Sequence, residues 1–279
     1  MKMKRVKGAA LAVLTVVALS LMSACDGRVA GSASGADSVQ FLEEDSFVKV
    51  SILAEPPQTG DASLLASVGR WMSETLGDTY AQDMADIPAI VEHYGKAIND
   101  SLHRLEPAPM FDEEGEEIEP MRVAADFDAS FRVTYETDRL VSYLADTYIG
   151  ASTWAHPSSG LLGATFRKDT GERLGWDIID STKMQAFRQL LVDELCAYAD
   201  VTRKELVEML SLGEEVFDLD TLPLPQSGPC LEEAGITFCY QQYELLSYAM
   251  GIPSATIPYA KMKPLLTPEA QQFLPRTEK

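Results

Sequence analysis

"RVAADFDASFRVTYETDRLVSYLADTYIG", residues 122–150, is where the fold is decided. Val123, Phe127, Phe131, Val133 and Tyr135 lead up to "ETDR", and a second apolar run extends from Leu140 to Ile149. Apolar residues on alternate positions, broken by a short polar turn, predict two antiparallel strands. Upstream, "SFVKVSILAEPP" (46–57) reads as another strand, ended by Pro56-Pro57. Downstream, "LLGATFRKDTGERLGWDII" (161–179) reads as a strand, a tight turn at Asp169-Thr170-Gly171 and a second short extended piece.

Helical spacing surrounds these strands. Asp61 caps "SLLASVGRWMSETLG" (63–77), where Leu64, Val68, Trp71 and Met72 share one side and Gly77 ends the run. "IPAIVEHYGKAINDSLHRL" (87–105) starts at Pro88 with Ile90, Val91, Tyr94 and Ile98 on one face. Ser181 or Thr182 is expected to cap "KMQAFRQLLVDELCAYA" (183–199), and Thr202 and Gly213 to bound "TRKELVEMLSLG" (202–213). Near the end, "ITFCYQQYELLSYAMG" (236–251) reads as a final buried strand running into an irregular segment, and "IPYAKMKPLL" (257–266) as a last short helix. Strands and helices come in blocks rather than strict alternation, so the expected class is α+β, an antiparallel sheet with helices packed on it. The expected organisation is two consecutive subdomains, residues 41–150 and 151–270.

The N-terminus speaks to location. "MKMKRVKGAALAVLTVVALSLMSAC" (1–25) has four basic residues, an apolar core from Ala9 to Leu21 and small residues before Cys25. This is the pattern of a secretory leader, residues 1–24, and Leu21-Met22-Ser23-Ala24-Cys25 resembles a bacterial lipoprotein processing box that acylates Cys25. Several acyl chains, at about 0.8 kcal/mol per buried CH₂, would hold the protein on a membrane. Residues 25–40, opening with the Gly, Ser and Ala stretch "DGRVAGSASGADS", are expected to form a flexible tether. The expected location is the bacterial cell envelope, facing the periplasm or the exterior. The sequence holds 23 basic and 43 acidic side chains, a net charge of −20, and the leader carries four of the cations and none of the acids. Such a field disfavours nucleic acid and attracts basic partners.

"GASTWAHPSSGLL" (150–162) gathers Trp154, His156, Ser158 and Ser159 into one loop. A Ser-His nucleophile needs an orienting acid and an oxyanion hole, and adjacency supplies neither. His156 precedes Pro157, which holds it out of the α region. A hydrogen-bonded turn histidine is therefore the first reading, a recognition loop built on Trp154 and His156 the second, and catalysis the last. No HExxH, HxH, GxSxG or Walker pattern occurs. His93 and His103 are ten apart, which does not place two imidazoles on one metal. The acidic run "APMFDEEGEEIE" (108–119) lacks the alternating ligand order of a calcium loop. No metal or cofactor is expected. Beyond Cys25 the cysteines are Cys196, Cys230 and Cys239. An oxidising envelope would allow the last two to bridge a hairpin if the register brings their Cα atoms within about 7 Å.

"WAHPSSG", "TFRKDTGERLGWDII", the following amphipathic helix and "ITFCYQQYELLSYAMGIPSATIPYAKMKPLL" together resemble the RsiV-like and PdaC-like extracellular domain family, which includes a lysozyme-sensing anti-sigma factor. The segment order matches over residues 150–266, and the earlier strand and helices resemble the domain that usually precedes it. The family usually has glycines where this chain has Thr153 and Trp154. The resemblance implies a non-catalytic ligand-binding body, here on a lipid anchor, whose partner is a basic wall-degrading enzyme such as lysozyme. The alternative is a module that binds peptidoglycan or assists a hydrolase, for which exposed aromatics over a groove are the expected mark. A monomer is expected in either case.

Overall fold

The computed structural model describes residues 38–275 apart from 108, 112, 114–116, 119–120 and 212–214. The leader, Cys25 and most of the tether lie outside the described residues. Of the expected tether, Val39 and Gln40 already belong to a strand, β1 (Val39–Glu44).

A turn joins β1 to β2 (Val48–Ala54), and its Asp45 carboxylate accepts the Phe47 and Val48 amides at 2.7 and 2.8 Å. The chain then forms α1 (Ala62–Leu76) and α2 (Ile87–Leu102). Asp61 and Asp86 cap them through their carboxylates, and Gly77 ends α1 as the sequence predicts. The short pair β3 (Met110–Phe111) and β4 (Glu117–Ile118) follows. Next come the long hairpin β5 (Ala125–Glu136) and β6 (Leu140–Ala151), and then β7 (Ser158–Arg167).

Strands β1, β2, β5, β6 and β7 form one sheet in the order β1-β2-β5-β6-β7. The expectation of a wholly antiparallel sheet needs correcting at one place. Strands β2 and β5 run parallel, Val48 opposite Ala125 through Ala54 opposite Phe131, because two helices between them return the chain to its starting end. The boundary expected at residue 150 falls inside β6, which pairs with β7 from Leu140–Arg167 to Ile149–Ser158, so the sheet continues to Arg167.

The period of two sorts this sheet's side chains. Ile52, Ala129, Phe131, Val141 and Tyr143 face α1 and α2 and close around Trp71, whose ring meets Phe131, Tyr143 and Phe166 at 5.6, 6.0 and 6.1 Å. Gly95 of α2 lets β1 dock on that helix, since a Cβ there would lie 2.3 Å from the Phe41 ring.

The second core lies on α3 (Met184–Ala199), α4 (Arg203–Leu210) and a three-stranded antiparallel sheet. That sheet comprises β8 (Cys230–Leu231), β9 (Gly235–Cys239) and β10 (Ser254–Pro258), in the order β10-β9-β8. Phe187, Phe238 and Trp176 stack at its centre, Trp176 on Phe238 at 5.8 Å and 16°. Leu140 of β6 joins this core, so one hairpin strand reaches both.

Three expectations change here. Asp180, not Ser181 or Thr182, supplies the capping carboxylate, and it caps a 3-10 turn (Ser181–Lys183) that leads into α3. Strand β9 is not the last: β10 takes Ile257 and Pro258 from the segment expected to be helical and leaves a four-residue helix, α5 (Tyr259–Met262). Cys230 and Cys239 are free thiols. Cys230 stands opposite Thr237 and Cys239 opposite Ser254, so the register offsets the two cysteines instead of pairing them. Burial pushes the Cys239 thiol up to about 12 and moves Cys230 further in the same direction. The expected stop of α4 at Gly213 lies outside the described residues; the helix ends at Leu210, and Thr202 caps it in a reciprocal box with Glu205.

Candidate functional site

The loop quoted from the sequence shrinks to residues 152–157, because Ser158 and Ser159 already belong to β7. Ser152 anchors this turn by exchanging bonds with Ala124: its amide donates to the Ala124 carbonyl at 2.7 Å, and its hydroxyl accepts the Ala124 amide at 3.1 Å. The Trp154 amide donates to the Ala151 carbonyl at 3.0 Å, and its indole is 40% exposed.

His156 uses both ring nitrogens. Nδ1 donates to the Pro157 carbonyl at 2.9 Å, which leaves Nε2 of the neutral ring to accept from the Tyr243 hydroxyl at 3.2 Å. This assigns the tautomer from the bonding pattern. Neither nitrogen engages Ser158 or Ser159, so the turn reading of the histidine describes its contacts. The imidazole also lies flat on Tyr248, centroids 4.0 Å apart at 28°. Tyr243 and Tyr248 are 5.8 Å apart, and the three rings form one surface cluster in which His156 and Tyr243 are exposed and Tyr248 is half-buried.

Two glutamines hold the cluster against the sheet. Strand β7 is an edge, and its outward backbone groups would otherwise be open. Gln242 Oε1 accepts the Ser159 amide at 2.9 Å; Gln241 accepts the Leu161 amide at 3.0 Å and donates to the Leu161 carbonyl at 2.7 Å. The Gln241 side chain thus imitates a neighbouring strand. Glu244 accepts the amides of Gln226 and Gln241, both at 2.7 Å, which stiffens the segment. Tyr243 has φ of 63° and is 63% exposed, a left-handed aromatic residue presented to solvent. Non-glycine residues in that region cost about 1–3 kcal/mol and concentrate where binding or catalysis occurs.

A pocket of about 210 Å³ opens on the other side of Ser158 and Ser159. Strands β5 to β7 run past the end of α1, so the last turn of that helix forms a wall through Thr75 and Leu76, over a floor of Phe127, Thr147, Ile149 and Ser158. Gly160 keeps it open, since a Cβ there would sit 2.7 Å from Thr147 Oγ1. No charged side chain lines the pocket. Among the described residues, no group of three or more His, Cys, Asp or Glu side chains is placed to hold a metal, and no helix is long and apolar enough to cross a membrane.

The structure thus brings together His156, Ser158 and Ser159 from the sequence reading, with Trp154 on the same turn. It adds Tyr243, Tyr248, Gln241 and Gln242, which the reading took as irregular chain. Their signal was present in "YQQYELLSY", where paired glutamines sit between tyrosines directly after a buried strand. Cys230 and Cys239 are buried on β8 and β9 and take no part.

Residues 179–260, from the lead into α3 to the first turn of α5, match the family model DUF3298, a protein of unknown function. The chain carries a DUF3298 domain. The DUF3298 domain therefore contributes the Gln241–Tyr248 half of the site, and the β6–β7 turn outside it contributes the other half. A member of the DUF3298 family from Bacteroides fragilis is similar in fold, with a TM-score of 0.57 and 22% identity over 83% of this chain and 92% of that one. A DUF3298 family protein from Pseudomonas aeruginosa gives a TM-score of 0.53 and 15% identity over 84% and 93%. These likenesses cover far more of the chain than residues 179–260 and share its mixed α+β fold. No curated protein is similar enough to count as a match.

Proposed function

We propose that the chain is a lipid-anchored, non-catalytic binding protein of the bacterial cell envelope, which captures a basic wall-degrading enzyme such as lysozyme. The observation that carries this reading is the surface cluster of His156, Tyr243 and the half-buried Tyr248, fixed by Gln241, Gln242 and Glu244 before any partner arrives. Aromatic anchors on a pre-ordered support are efficient recognition groups, because little conformational entropy is lost when they bind. The net charge of −20 would steer a cationic partner toward the face. With both nitrogens committed to Pro157 and Tyr243, His156 orders the cluster and does not activate a serine.

The test is calorimetric binding of the purified protein to a C-type lysozyme at low and at physiological salt. Submicromolar binding that survives physiological salt and falls about 30-fold or more in Tyr243→Ala supports capture at this face, since a hot-spot truncation costs about 2 kcal/mol or more. Binding confined to low salt, or insensitive to Tyr243, overturns it. The exposed Tyr148, Trp154 and Tyr243 also favour a second reading, a platform for the sugars of peptidoglycan. Retention on insoluble peptidoglycan that Tyr243→Ala abolishes, without lysozyme binding, would select that alternative.

A further inference from the structure

We propose that the pocket between the end of α1 and strands β5 to β7 receives an arginine or lysine side chain of the basic partner. The proposal rests on the capture reading above and names the chemistry of one contact.

The pocket's hydroxyls decide its preference. Thr75 Oγ1 donates to the Trp71 carbonyl at 2.9 Å, and Thr147 Oγ1 donates to the Gly160 carbonyl at 3.5 Å. These two hydroxyls spend their one proton on the protein and offer lone pairs to the pocket, and the Ser158 and Ser159 hydroxyls beside them can accept as well, so the site suits a ligand rich in donors. The wall is the final turn of α1, where the helix dipole carries its negative end. Both features select for positive charge.

The remaining surface fits what lies behind such a charge. Leu76 and Ile149 supply apolar contact for a methylene stem, and Phe127 adds a ring beside which a cationic head is stabilised. About 210 Å³ accommodates one such side chain and not a folded segment. Ser158 and Ser159 border the pocket, and the Ser159 amide is bonded to Gln242 beside Tyr243, so a partner seated on the aromatic cluster has the pocket within reach.

The probe is N-acetylarginine methylamide, titrated into the protein and followed by amide chemical shifts, with the citrulline analogue as the neutral control of equal shape. The expected result is saturable shifts at Thr75, Thr147, Ser158 and Gly160 with the arginine compound, and at least about tenfold weaker binding of the citrulline compound. Thr147→Val, which keeps the shape and removes one acceptor, should weaken arginine binding about tenfold or more; Ser158→Ala, at an exposed strand end, gives a second variant whose folding is not at risk. Equal response to both compounds, or shifts that map elsewhere, overturns the proposal. Lysozyme binding that is unchanged in Thr147→Val, with no arginine shifts, removes the pocket and leaves capture standing. Arginine occupancy without lysozyme binding removes the enzyme as partner and leaves the pocket.

Discussion

Tyr143 has no exposed surface, and its hydroxyl has no hydrogen-bond partner among the described residues. Burial, and then the carboxylates of Glu136 and Glu55, hold its phenol far above the ordinary range. An unpaired buried hydroxyl costs about 1–3 kcal/mol, so Tyr143→Phe should leave stability unchanged or raise it by about 1 kcal/mol. Urea unfolding measures this, and a clear loss would mean that the hydroxyl is bonded in solution. Trp71, in the same cluster, predicts the opposite. It is 4% exposed and in contact with three aromatic rings, so Trp71→Ala should lose about 3–5 kcal/mol in the same experiment. At this scale the sequence was legible for Trp71, which sits on a helical stripe. It was silent on Tyr143, because alternation along a strand says which face a side chain takes but not what its hydroxyl meets.

The elements depend on their ends. In the β1–β2 turn, Asp45 accepts two backbone amides and lies 3.1 Å from His103 at the end of α2. The amides of Val48 and Phe47, then His103, lower the Asp45 carboxyl; the carbonyl of Asn99, then Asp45, raises the His103 imidazole. A lowered carboxyl contributes stability above its unfolded value, about 4, and loses it as pH falls through the native one. A raised imidazole contributes below about 6.5 and loses it as pH rises through the native value. The clamp on β1 is therefore strongest between roughly pH 4 and 6.5. His103→Gln should narrow its stability gap to the parent protein as pH rises from 6 to 9 (about 6.5 being the unperturbed midpoint), read as thermal midpoints across that range. Strand β7 gives a second prediction. Gln241→Ala uncovers the Leu161 amide and carbonyl, so it should cost about 1–3 kcal/mol and raise the tendency to associate by edge pairing, seen by light scattering. The strands and helices themselves were readable from period and caps. The glutamine clasp was not, because its partners are 80 residues apart.

The molecule's two larger cores meet on strand β6, and its candidate site forms where the turn between β6 and β7 meets a loop of the DUF3298 domain. The capture reading makes its prediction at this scale. Charge attraction should raise the association rate with lysozyme as salt falls, while the dissociation rate should follow the aromatic cluster. Stopped-flow or surface measurements over about 50 to 300 mM salt separate the two, because screening lengths contract through this range. An association rate indifferent to salt would show that the acidic surface serves another purpose, such as solubility.

The α+β class, the β5–β6 hairpin, the capped helices α1 and α2 and the overall charge follow from the sequence by itself, since each rests on local periodicity, a cap or a count. The parallel pairing of β2 with β5, the offset of Cys230 from Cys239, the meeting of His156 with Tyr243 and Tyr248 and the pocket at the end of α1 were decided only in the tertiary structure. The physical reason is separation along the chain. His156 and Tyr243 are 87 residues apart, and nothing in the propensity of either segment encodes the other. Only the packing of the second sheet and its helices against strands β6 and β7 brings them within hydrogen-bond reach.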